Sequence, residues 1–133
     1  MPEKASADSL LNLQQIQYSE YYTQLLIQYE AGINAFQKDS TSNDLILKQK
    51  QEDIQVLENK IKTYRSSAEN ELKLMKDNLY DPIRKKMLDA VNVVAERLKY
   101  DYVIDTSFGN VIYTKNEKDN ILNEVADQLN IAH

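Results

Sequence analysis

No cysteine occurs in the chain, so it can form no disulfide, thiolate metal site or thiol nucleophile. Its absence does not identify a redox compartment. Tryptophan is also missing, glycine and proline occur twice each, and the one histidine is His133 at the C-terminus. That inventory contains no glycine-rich phosphate loop and little from which to assemble a nucleophile and base, so no catalytic residue is expected and the chain is read as a non-enzyme. No acidic spacing suggests a metal site, and no cofactor is expected. Apolar runs stay far below the ~20 residues needed to span a bilayer, and Met1-Pro2-Glu3-Lys4-Ala5-Ser6 has no apolar signal core, so the chain as given reads as soluble, without direct membrane insertion. Positive charge is not in excess either. The net charge is −5, and residues 38 to 80 carry eight basic and eight acidic side chains, which argues against a nucleic-acid partner.

What the chain does have is the composition of long helices. A polar stretch, Lys38-Asp39-Ser40-Thr41-Ser42-Asn43-Asp44, separates two segments of helical periodicity. Before it, apolar or small residues recur at Leu11, Tyr18, Tyr22, Leu25, Tyr29, Gly32 and Phe36. After it they recur at Leu47, Ile54, Leu57, Ile61, Tyr64, Ala68, Leu72, Met75 and Leu79. Folding the second segment back on the first pairs Phe36 with Leu47, Tyr29 with Ile54, Leu25 with Leu57, Tyr22 with Ile61, Tyr18 with Tyr64 and Leu11 with Leu72. The two numbers of each pair sum to 82 or 83. A common mirror point predicts an antiparallel helical hairpin with one shared seam. Helix 1, taken from about Asp8 to Lys38, would be roughly 45 Å long at ~1.5 Å per residue, so an elongated molecule is expected. Pro2 and Asp8-Ser9 are both plausible helix starts, and an early start is favoured.

The seam leaves apolar residues over: Tyr21, Leu26, Ile27 and Ile33 on the first helix, Leu45, Ile46 and Val56 on the second. Some must face solvent, a sister subunit or a client polypeptide, and scattered exposure is the plainer alternative. Client contact is expected at Tyr21, Leu26, Ile27, Ile33 and Val56. The tyrosines Tyr18, Tyr22 and Tyr29 are read as seam, with an aromatic ligand platform as the lesser reading. Pairs Glu58/Lys62, Glu69/Lys73 and Lys73/Asp77 have the spacing of surface helix ion pairs.

At Asp81-Pro82 the second helix is expected to continue with a kink, its apolar face resuming at Ile83, Met87, Leu88, Val91, Val94, Ala95 and Leu98. Arg84-Lys85-Lys86 is a small basic cluster, read as a solvated face. Alternation at Tyr100, Tyr102 and Ile104, then Ser107-Phe108-Gly109-Asn110 and Val111-Ile112-Tyr113, predicts a β-hairpin that needs further strands. Asp119 is expected to cap a last helix with Ile121, Leu122, Val125 and Leu129 on one face. The fold class is therefore mainly α with a small β part (α+β): an arm over about 8–81 with its tip at 38–44, and a body over about 82–133 plus the start of helix 1.

The order of parts resembles the Skp/OmpH family of periplasmic chaperones, closest to Bacteroidetes-type members. The residues carrying the resemblance are Met1-Pro2-Glu3-Lys4-Ala5 with Ala7-Asp8-Ser9, Leu79-Tyr80-Asp81-Pro82-Ile83, and Ala90-Val91 through Val94-Ala95. Tyr100-Asp101-Tyr102-Val103-Ile104-Asp105, Val111-Ile112-Tyr113 and Asp119-Asn120-Ile121 complete them, so the match spans essentially the whole chain. The resemblance implies a homotrimer whose arms surround a cavity that holds unfolded outer-membrane proteins without ATP, in the periplasm. A signal peptide and a first β-strand precede the Pro-Glu-Lys segment in family members, and this sequence begins after both, so a weakened trimer is expected. The best-known members are strongly basic, and this acidic chain is not expected to attract lipopolysaccharide. A structural coiled-coil adaptor gripping one folded partner is the alternative reading.

Overall fold

The computed structural model describes residues 1–107, 109 and 117–131. Helix α1 spans Pro2–Lys38 and helix α2 Asp44–Leu98; a 3-10 turn at Glu117–Asp119 precedes the short helix α3, Leu122–Gln128. The chain is mainly helical, and no strand occurs among the described residues. It divides into two compact units, one of Ala7–Asp77 and the other of Met1–Ser6 with Asn78–His133.

Within Ala7–Asp77, α1 and the first part of α2 share a half-buried seam. Leu25 is only 1% exposed, Ala7 and Ala68 are also buried, and the other predicted seam residues are partly covered. The turn between the helices is shorter than the polar stretch, because Lys38 ends α1 and Asp44 begins α2. Asp39 organises it: one carboxylate oxygen accepts the backbone N–H of Thr41 at 3.2 Å and of Ser42 at 2.9 Å, and the carboxylate also takes the Ser42 hydroxyl and the Lys50 ammonium. Lys50 first, then the Ser42 hydroxyl and amide, hold the Asp39 carboxyl well below the usual carboxylate range. Asn43 then caps α2, its Oδ1 accepting the Ile46 N–H at 3.0 Å, which satisfies one of the helix's free first-turn donors.

In the other unit, Pro2 opens α1, six residues ahead of the Asp8 start used to estimate the arm; its fixed φ suits a first helical turn and its missing N–H costs nothing there. Glu3 pairs with Lys86, chiefly through a hydrogen bond that lowers the Glu3 pKa. Helix α2 runs unbroken through Pro82, which has no N–H to offer the carbonyl four residues back. The core is small: Ala90 and Val94 of α2 pack with Ile121 and Val125, and Val91 and Leu129 lie against them. Helix α2 stops at a Schellman turn in which Lys99 adopts a φ of 58°, its N–H bonding to Glu96 and that of Tyr100 to Ala95. Asn130 ends α3 the same way at φ 54°, with Ile131 bonding back to Ala126.

Three expectations need correction here. Tyr100–Asp105 forms no strand, because the Tyr100 amide is used in the α2 cap and Asp105 bends the chain by accepting the Ser107 N–H at 2.9 Å. Tyr102 is 87% exposed. Gly109 takes the positive φ, 68°, expected of the turn, while Val111-Ile112-Tyr113 lies outside the described residues. Asp119 does not cap α3: it ends the 3-10 turn and accepts the Tyr100 hydroxyl at 3.3 Å, and Ile121 stands at the N-cap without a side-chain bond. Leu122, 69% exposed, leaves the apolar face to Ile121, Val125 and Leu129.

Candidate functional site

The chemistry-bearing part of the hairpin is a run of tyrosines. Tyr18, Tyr21 and Tyr22 of α1 and Tyr64 of α2 lie at one level of the seam. Tyr18 meets Tyr64 edge to face with centroids 6.1 Å apart, and Tyr21 lies 4.7 Å from the same ring at a tilt of 57°. Each contact favours the seam beyond simple burial, by about 0.5–1.5 kcal/mol. Lys60 sits 5.8 Å from the Tyr21 ring centroid, within cation–π range. The Tyr18 hydroxyl donates to Glu71, and that bond, with desolvation, raises its pKa. Desolvation is the main cause of the raised Tyr64 pKa.

Beside these rings a groove of about 260 Å³ opens, walled by Tyr18, Tyr22, Tyr64 and Leu72 with the buried Ala68 among them. Ala68 is the smallest residue of the α2 seam, so its methyl group leaves room that the large neighbouring rings do not fill. Gln15, Ser19, Arg65 and Glu69 form the rim. Arg65 donates to Glu69 at 2.9 Å, so the rim charges pair with one another, and Arg65 also interacts with Tyr22. This pair corrects the expected Glu69/Lys73 bridge, because Arg65, anchored near Tyr22, reaches Glu69 from the preceding turn. Glu58 and Lys62 pair at 3.2 Å.

The residues expected to meet a client fall in different places. Ile27 and Val56 are 60% and 65% exposed, Tyr21 is exposed but occupied by Tyr64 and Lys60, and Leu26 and Ile33 are half-buried. Two-turn steps carry the rim residue Ser19 onto Leu26 and then Ile33, so these share one face of α1. Leu45 and Ile46 are exposed near the tip. Further exposed apolar side chains were not singled out from the sequence: Leu10, Leu13 and Ile16 on α1, spaced by three, and Leu74 on α2. Their signal was the excess of apolar residues over the seam's 3–4 spacing. Among the described residues no group of acidic, histidine or cysteine side chains is placed to hold a metal ion, and no helix is long and apolar enough to cross a membrane.

The family model described as outer membrane protein (OmpH-like) matches residues 1–129. The chain belongs to the OmpH-like family. No curated protein matches it. The tyrosine groove and the exposed apolar residues therefore stand on the helical hairpin of an OmpH-like chain.

Proposed function

We propose that this OmpH-like protein is an ATP-independent holdase that keeps unfolded outer-membrane proteins from aggregating in the periplasm, as a homotrimer whose helical arms bound a client cavity. The observation that carries this reading is the family match over residues 1–129. The hairpin supports it physically. Leu45, Val56 and Leu74 stay exposed between closely spaced charges of both signs on α2, and Ile27 stays exposed on α1. A surface of that kind makes many weak contacts with an unfolded chain and fixes no single conformation of it.

Dilution of a urea-unfolded β-barrel protein into buffer tests the proposal. Light scattering should stay low in the presence of the oligomer and rise in its absence. Unsuppressed aggregation by a verified oligomer would overturn the reading, and capture of one folded partner with indifference to unfolded chains would favour an adaptor. Static light scattering tests the trimer separately, and a monomer at high concentration would refute it.

A further inference from the structure

We infer that the groove at Ala68 is a subsite for one aromatic side chain of an extended client, which makes the face bearing Ser19, Leu26 and Ile33 the client-gripping face of the hairpin. The inference rests on the holdase reading for the identity of the client, and on geometry for the site.

Size comes first. An apolar cavity of ~150 Å³ in a protein core suffices to bind benzene, and this groove offers about 260 Å³ along a largely solvent-open surface, room for one phenol or phenyl ring laid against its walls. The walls come next. Tyr18, Tyr22 and Tyr64 line the space, and aromatic walls suit a planar π partner better than a branched aliphatic one. The rim supplies the third argument. Arg65 and Glu69 neutralise each other, so the mouth neither attracts nor repels charge, and the guanidinium can lie over an incoming ring. A charged occupant would find no counter-ion there. An unfolded β-barrel strand, whose apolar side chains alternate with polar ones, offers one ring at a time to such a mouth. Leu26 and Ile33 continue the apolar surface along the same helix face, whereas exposed Ile27 and Val56 do not line the groove.

Because the chain has no cysteine, a single Ser19→Cys substitution places one thiol on the rim, and Asn59→Cys, at an exposed polar position of α2 outside the groove lining, places a control thiol away from it. Maleimide alkylation is followed for each variant, after circular dichroism has confirmed the helical content. The probes are a cysteine-free, urea-unfolded β-barrel protein, a strand peptide with alternating tyrosines, and the same peptide with leucine at those positions. The expected result is about tenfold slowing at Ser19→Cys by the protein and the tyrosine peptide, a difference readable as affinity, and less than about twofold at Asn59→Cys or with the leucine peptide. Aggregation suppressed without any slowing at Ser19→Cys would overturn the subsite and leave the holdase intact. Slowing by the tyrosine peptide with no suppression of aggregation would do the reverse. Equal protection by the leucine peptide would remove the aromatic preference, and slowing that grows with the chain's own concentration, without client, would assign the groove to a second copy.

Discussion

Tyr64 receives Tyr18 edge-on and Tyr21 at a tilt, so one ring of α2 holds two rings of α1. With each ring contact stabilising by about 0.5–1.5 kcal/mol, Tyr64→Leu should cost roughly 1–3 kcal/mol while retaining apolar bulk. A urea titration followed by circular dichroism reads this directly, and an unchanged midpoint would mean that the rings do not clamp the seam.

Leu25 and Ile27 are near neighbours on α1 with opposite fates, 1% against 60% exposed. Leu25→Ala should lose about 2–5 kcal/mol by emptying a packed position, whereas Ile27→Ala should stay within about 0.5 kcal/mol. Comparing their melting temperatures checks the register of the seam.

The double replacement Ile54→Asp with Leu57→Asp introduces two unpaired carboxylates into the half-buried face of α2. Their desolvation should open the hairpin, with loss of most of the cooperative thermal transition. Retained helicity and melting would show that the two positions do not belong to the seam.

At the turn, Asp39 is held ionised in the folded chain well below its ordinary value of 3.8, first by Lys50 and then by Ser42. A depressed folded pKa stabilises above the unfolded value and loses that contribution as the pH falls through the folded one. Asp39→Asn should therefore lower the melting temperature at pH 7, and the gap from the parent should narrow steadily once the pH falls below about 4.

Lys99 closes α2 in a conformation that glycine adopts without steric cost. Lys99→Gly should stabilise the unit containing α3 by about 1 kcal/mol. A higher urea midpoint is the readout, and a lower one would mean that the lysine side chain contributes more than the backbone strain removes.

The helices could be read from the sequence because their apolar residues repeat every three or four positions for many turns, a pattern no strand sustains. Boundaries followed where local chemistry is strong, as at Pro2 and in the polar turn. The reading failed where tertiary contacts decide. Tyr100 looks like the first residue of a strand, yet its amide is needed by the α2 cap. Asp119 looks like an N-cap, yet it ends a 3-10 turn two residues too early. The groove escaped notice because a small seam residue such as Ala68 counts as apolar in any periodicity, and only the large rings around it make its size matter. Exposure separated Ile27 and Val56 from Leu26 and Ile33, a distinction that depends on where the second helix lies.

The Asp39 turn also sets an order of events in time. Asp39 and Lys50 are 11 residues apart along the chain, whereas Tyr18 and Glu71, joined across the same hairpin, are 53 apart. Loop-closure entropy rises with separation, so the turn contacts should form first and bring the next pair within reach, and so on toward Tyr18. The hairpin would then close as a zipper from its turn, which needs no long-range search during synthesis and leaves the pairs farthest from the turn as the last to form.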